Sequence, residues 1–220
     1  MADSEMDGGA SRDELLQRVE LMEEMIAEGR GSTTRNAWIL VLWGVVDLVG
    51  AVWQHGLPHS NFAGRWAWPI CLGAGVVLTF AGKALQGRDQ ARDRGYRKGI
   101  VSSRVMTVWA MMGLALGIYI TGAMFGGWTW QVSYLSGMLM MVGMAHAISA
   151  AILRWRAQGV VAAIWWAGGI AILTDPPMRV VEAIMFLELS VGMIAFGVYA
   201  MVVEGRSVRR ATEAGASNHA

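Results

Sequence analysis

The chain has 220 residues, 55% of them hydrophobic and 16% charged, with a formal net charge of +1 and one cysteine. So sparse and balanced a charge excludes the concentrated basic surface that nucleic acid demands, and a lone cysteine excludes intrachain disulfides and cysteine-rich metal chemistry. The apolar excess points to an all-α, polytopic membrane protein with too few residues left for a second folded domain.

In chain order, residues 1–10 are polar and glycine-containing and are expected to be disordered. Residues 11–31 then read as an amphipathic helix. Ser11 and Glu14 have the spacing of a capping box, which satisfies the first free backbone amides of a helix. Leu15, Val19, Met22 and Ile26 recur at spacings of four, three and four, a single apolar stripe, and the helix should end near Gly29-Arg30-Gly31. From Ser11 to Arg30 three arginines stand against six acids, a net of −3. Helices that lie on an anionic leaflet are Lys/Arg-rich, so this one is expected to dock on protein. The first 36 residues lack the apolar core of a signal peptide; the first membrane helix is expected to be its own uncleaved insertion signal, with the N-terminus at Met1 or Ala2.

Six apolar stretches follow within Asn36 to Val203: Ala37 to Gly56, Trp66 to Leu85, Val105 to Phe125, Val132 to Leu153, Ala157 to Thr174 and Val180 to Val203. Each approaches the roughly 20 residues that span a bilayer core. They read as six transmembrane helices in three hairpins, with a disordered tail over residues 204–220. Of 18 Lys and Arg, only Arg65 and Arg179 fall in the connections assigned to the outside, so the positive-inside rule places both termini in the cytoplasm. The hairpins share features: Gly75, Gly143 and Gly192 each precede a cytoplasmic arginine, and Trp43, Trp109 and Trp165-Trp166 lie beside small residues.

Within the spans, Asp47 and Glu188 reach similar depth by helical rise, and intramembrane carboxyls are functional suspects by default. The only potential base among the spans is His146, nearer the cytoplasmic side. Without a neighbouring cation, one or both carboxyls are expected to be neutral, hydrogen-bonded acids. They serve either as a proton relay or cation site, or as interhelical hydrogen-bonding groups that fix packing. Arg179 and Glu182, three residues apart, are expected to pair on one helix face.

Several other patterns read as structural. His55 and His59 flank Pro58, which breaks the helix such a metal pair would need, so neither a metal nor a cofactor is expected. Met138, Met140, Met141 and Met144 wrap around their helix as packing and lipid contacts; Cys71 is a small buried apolar group. Trp53, Trp66, Trp68, Trp128, Trp130 and Tyr134 form an interfacial belt. Gly113-x-x-x-Gly117 and Gly122-x-x-x-Gly126 place their helix inside the bundle or at an oligomer interface. No nucleophile elbow, phosphate loop or zinc-protease motif occurs, and Ser102, Ser103, Ser133 and Ser136 have no adjacent His or Lys arranged as a base, so no enzyme is expected.

The acidic N-terminal helix, the three hairpins, the basic connection GRDQARDRGYRKG and the short TDPPMR turn resemble small uncharacterised six-helix membrane proteins of bacteria. Trp38, Gly44 and Gly50 are similar to the tryptophan- and glycine-rich first helix of the HdeD-like acid-resistance membrane protein family, also three hairpins. The chain departs from that family at Trp43, where an arginine is usual, and in its long N-terminal helix. Neither resemblance implies catalytic residues.

Two functions are therefore expected. The first is a non-enzymatic inner-membrane regulatory or scaffolding module in the lipid bilayer. It would contact a cytoplasmic protein partner, or a second copy as a homo-oligomer, through Leu15, Val19, Met22 and Ile26 and the basic loop residues Arg92, Arg94, Arg97 and Lys98. The alternative is a small proton-linked carrier that uses Asp47 and Glu188.

Overall fold

In the computed structural model, residues 12–56, 62–92, 99–126, 132–204 and Arg206 are described. Residues 1–11 with the Ser11 capping box, Pro58 and His59, Trp128 and Trp130, the loop residues Arg94, Arg97 and Lys98, and most of the tail lie outside them, and with them the expectations placed there. The described residues are helical throughout, with no strand, and six of their helices are long and apolar enough to cross a membrane. In chain order the helices are α1 (Arg12–Asn36), α2 (Trp38–Gly56), α3 (Phe62–Arg92), α4 (Ile100–Gly126), α5 (Val132–Leu153), α6 (Arg156–Leu173) and a final rod, α1 and α2 together making the first of the six. The rod runs without a break through α7 (Met178–Met185), a π-helical segment π1 (Phe186–Gly192), α8 (Met193–Tyr199) and a second segment π2 (Ala200–Glu204).

The expected stop of the first helix at Gly29-Arg30-Gly31 is wrong. α1 continues to Asn36 and is separated from α2 by Ala37 alone. Glycine is tolerated there because tertiary contact requires it: a Cβ on Gly29 would lie 2.6 Å from Val101 and 2.9 Å from Leu153. Packing of this kind overrides the weak helix propensity of glycine. The bend at Ala37 has a local cause. Thr33 donates to the Gly29 carbonyl, Thr34 to that of Gly31 and Asn36 to that of Ser32, and such side-chain bonds compete with the helical ladder and bend it. Lys83 of α3 then donates to Asn36 Oδ1 at 2.6 Å, fastening the bend from the side.

Arg30 holds α1 onto the bundle. Its Nε donates to the carbonyl of Leu153 at 2.8 Å and a terminal nitrogen donates to that of Arg154. These are carbonyls at the C-terminal end of α5, which lack helical partners and carry the negative end of the helix dipole. Ser32 and Ser102 add a hydroxyl contact at 2.6 Å between α1 and α4.

Helix pairing relies on tryptophan lying over glycine. Trp43 covers Gly75, Trp38 covers Gly82 and Trp68 covers Gly50, which join α2 to α3. Trp166 covers Gly143 and donates to the Met140 carbonyl, while Ser136 donates to the Gly169 carbonyl at 2.8 Å; these join α5 to α6, the most extensive pairing in the protein. The similarity between hairpins thus breaks at its second member, since Gly143 takes its tryptophan from the following helix and not from Trp109. The final rod packs on α2 more than on α6.

The core has two parts. At the end next to α1, Ala37, Val105, Leu153, Trp155, Phe196 and Ala200 pack together; in the other half, Leu139, Val142, Trp165, Ile172 and Val181 do so. α3 packs chiefly on α2, and α4 on α5 and α1. Gly113, Gly117 and Gly122 each face open space, so none of them lies at a contact inside the bundle. α4 meets α5 elsewhere on its surface, where Tyr119 stacks on Tyr134 at 5.1 Å. Tyr134 is accordingly buried and not part of an interfacial belt. Arg179 and Glu182 are both exposed and no ion pair joins them; their shared helix face alone supplies too little energy to order two long side chains.

Removing the Arg30 contact should release α1. Arg30→Ala is expected to cost about 1–3 kcal/mol, the range for hydrogen bonds to a charged group, and to speed tryptic cleavage after Arg18. Arg30→Lys, which keeps one donor, should fall between the two; equal cleavage in all three proteins would show that the contact does not hold the helix.

Candidate intramembrane polar site

Asp47 and Glu188 occupy the same region of the protein but do not meet directly. Asp47 projects from the middle of α2, and Glu188 belongs to π1. The link between α2 and the rod is Ser190, whose hydroxyl donates to Asp47 Oδ2 at 2.5 Å. Ser190 is fully buried. Residues two apart lie on nearly opposite sides of a helix, whether its turns are α-helical or the wider π-helical ones of this segment, so Ser190 turns toward α2 while Glu188 turns away from it. Glu188 lies against α6, where its carboxyl occupies the space that a Cβ on Gly168 would take. No ion pair to either acid exists among the described residues, in keeping with neutral partners and no cation.

Close approach makes this arrangement possible. A Cβ on Gly44 would stand 2.7 Å from Ile194 and 2.8 Å from the Ser190 carbonyl, and one on Gly197 would stand 2.7 Å from Val41 and 3.0 Å from the Ala37 carbonyl. With glycine on each helix, α2 and the rod touch backbone to backbone. The π1 segment begins two residues before Glu188; widened turns of this type are frequent at functional sites, and this one carries the two polar side chains that face the neighbouring helices.

His146 lies deeper in the α5–α6 pair, 1% exposed. It is bonded to neither acid. Aromatic rings surround it: Trp109 edge-on at 4.9 Å, Phe196 edge-on at 5.5 Å and Trp165 stacked at 6.1 Å between ring centres. Its Nδ1 has no hydrogen-bond partner. Three residues further along the same face of α6, Gly168 meets Glu188, so the histidine box and the acid are adjacent compartments of one interior. No cluster of three or more His, Cys, Asp or Glu suited to a metal occurs among the described residues.

The expected interaction residues divide. Leu15, Val19 and Met22 are 52%, 53% and 52% exposed, whereas Ile26 is half-buried where α1 begins to meet α4. The contact of α1 with the basic connection is seen only at its end, where Glu28 lies against Gly99. Arg92 ends α3. Sequence reasoning missed Ser190, Gly168, Ser149 and Gln158. The available signal was polarity: Ser190 interrupts the same apolar run as Glu188, and Gln158 and Ser149 lie inside stretches otherwise fit for a membrane. No protein-family model, curated protein or solved structure matches the chain.

A Gly168→Ala change should push Glu188 out of its seat and cost about 1–3 kcal/mol through overpacking. Shortening the acid should relieve it. The double variant Gly168→Ala/Glu188→Asp is expected to be more stable than the sum of the single effects predicts, a favourable coupling of the kind contacting residues show; additive melting temperatures would mean the two residues do not touch.

Proposed function

We propose that this is a non-enzymatic regulatory or scaffolding module of the bacterial inner membrane. In this reading its three helical hairpins anchor α1 on the cytoplasmic side, and both termini are cytoplasmic. The observation that carries the reading is the state of α1. Three members of its apolar stripe are about half exposed on a helix held at its other end by Arg30 and Gly29. An exposed apolar stripe on a rigid, charged helix is suited to a partner's groove or helix face. The acidic face, at net −3, favours a protein partner over the anionic leaflet, and the basic residues Arg92, Arg94, Arg97 and Lys98 belong to the same proposed contact.

A second reading is favoured by one observation, a π-helical turn that carries both Ser190, bonded to Asp47, and Glu188, seated against α6. It makes the protein a small proton-linked carrier in which Glu188 takes and releases the proton and Asp47 holds the rod to α2.

Affinity capture from detergent-solubilised native membranes separates the two. Under the first reading, Leu15→Asp, Val19→Asp and Met22→Asp together abolish capture. Leu21→Asp, also on an exposed residue but off the stripe, leaves it intact, and so does Asp47→Asn. Under the second, solute or proton flux in liposomes disappears with Asp47→Asn and survives removal of residues 1–31. For topology, with Cys71 replaced, single cysteines at Ser60 and Thr174 should label from outside intact cells and those at Gln90 and Ser207 should not; the reverse pattern would invert the proposed orientation.

A further inference from the structure

Among the described residues, five buried polar side-chain atoms have no hydrogen-bond partner, and four of them lie within α5, α6 and π1: His146 Nδ1, Ser149 Oγ, Gln158 Oε1 and Glu188 Oε2. Their residues are 1%, 0%, 1% and 8% exposed. Buried polar atoms are almost always satisfied, by protein or by ordered water, so four in one region need a common explanation.

They form a graded series of depth. α5 and α6 are joined by the turn at Arg154-Trp155, and residues counted from it measure distance into the membrane. At about 1.5 Å per residue, Gln158 lies about 3 Å beyond the start of α6, Ser149 about 6 Å and His146 about 10 Å before the end of α5, and Gly168, which seats Glu188, about 18 Å in. Gln158 and Trp165 are two turns apart on one face of α6, and Trp165 stacks on His146. Beside the shallow end of the series lies a surface depression of about 480 Å³ lined by Ala150, Arg154, Trp155, Arg156 and Gly159. Ala150 and Gly159 are the chain neighbours of Ser149 and Gln158, which are themselves buried beneath the surface.

Beyond Glu188 the series stops. Leu139, Ile172 and Val181 pack there, each no more than 1% exposed, and the buried hydroxyl of Ser136 is already bonded to the Gly169 carbonyl. Ser190 is likewise bonded to Asp47. Toward the α5–α6 turn Glu188 is therefore followed by unsatisfied donors and acceptors, and on its other side by the apolar Leu139, Ile172 and Val181; the fifth unsatisfied atom, Trp53 Nε1, belongs to α2.

We propose that Gln158, Ser149 and His146 line a hydrated half-pathway through which water, and protons relayed along it, reach Glu188 from the face that carries α1, with the Leu139–Ile172–Val181 cluster closing the far end. The inference relies on the carrier reading only for what the water delivers; the hydration itself is independent of flux.

The test is radiolytic hydroxyl-radical footprinting of the full-length protein in lipid nanodiscs, which modifies side chains next to water, read by mass spectrometry and normalised to the intrinsic reactivity of each residue type. His146 and Trp165 are expected to be modified well above the level of Leu139, Ile172 and Val181 in the unaltered protein. In the Ser149→Ala/Gln158→Leu double variant, matched for size-exclusion profile and helicity, that modification should be lost. His146 and Trp165 no more reactive than Leu139 in the unaltered protein would overturn the proposal, as would full reactivity retained in the double variant. A positive footprint in a protein that shows no proton flux would keep the half-pathway and remove the carrier.

Discussion

The crossing of α2 with the final rod is the constraint on which the rest of the structure depends. Between helices in lipid there is no hydrophobic driving force, so association rests on close van der Waals contact and on hydrogen bonds between polar side chains. Gly44 and Gly197 supply the first and the Asp47–Ser190 bond supplies the second. The two requirements are coupled: a 2.5 Å bond between short side chains forms only if the backbones approach as closely as the glycines allow. Once the rod is pinned to α2 by one side, its other side is set toward α6, and Glu188 arrives at Gly168, where a missing side chain leaves room.

The same principle accounts for the shape of the bundle. α5 and α6 pair along their length because Gly143, Gly169 and Ser136 permit it; α3 is held to α2 by three tryptophans over glycines and leaves most of its surface exposed. The glycines of α4 show the converse. Gly113, Gly117 and Gly122 are spaced for close approach and meet nothing, so a small-residue pattern licenses contact without specifying the partner.

Much of the fold was legible in the sequence because length and hydropathy are sufficient to define a membrane helix. The six spans were placed within a few residues, and Asp47 and Glu188 were brought to one depth by counting alone. What escaped depended on tertiary contact. Gly29 reads as a helix stop in isolation and is a packing site in the structure; propensity lost to Val101 and Leu153. Tyr134 near a helix end reads as interfacial and is buried because Tyr119 stacks on it. Ser190 has no periodic signature, and a π-helical turn has none either, since it arises where a neighbour's fit makes one extra residue per turn cheaper than a mispacked α-helix. The pairing of α5 with α6 across the expected hairpins could not be read, because tryptophan and glycine recur in every helix and only geometry selects which of them meet.

The α5–α6 turn is where the two halves of the protein's chemistry adjoin. Arg30 of α1 is bonded to the carbonyls of Leu153 and Arg154, and Arg154 is itself in the left-handed region, at φ 49°, a conformation that a residue with a Cβ holds only when its surroundings over-determine it. Two donors from one guanidinium are such surroundings. A load on the exposed end of α1 is therefore carried along a continuous helix to the residue that holds this turn in place, and the turn borders the depression above Ser149 and Gln158. The exposed stripe and the buried polar interior are thus joined through the same few residues, and this contiguity follows from the placement of one arginine at the negative end of one helix.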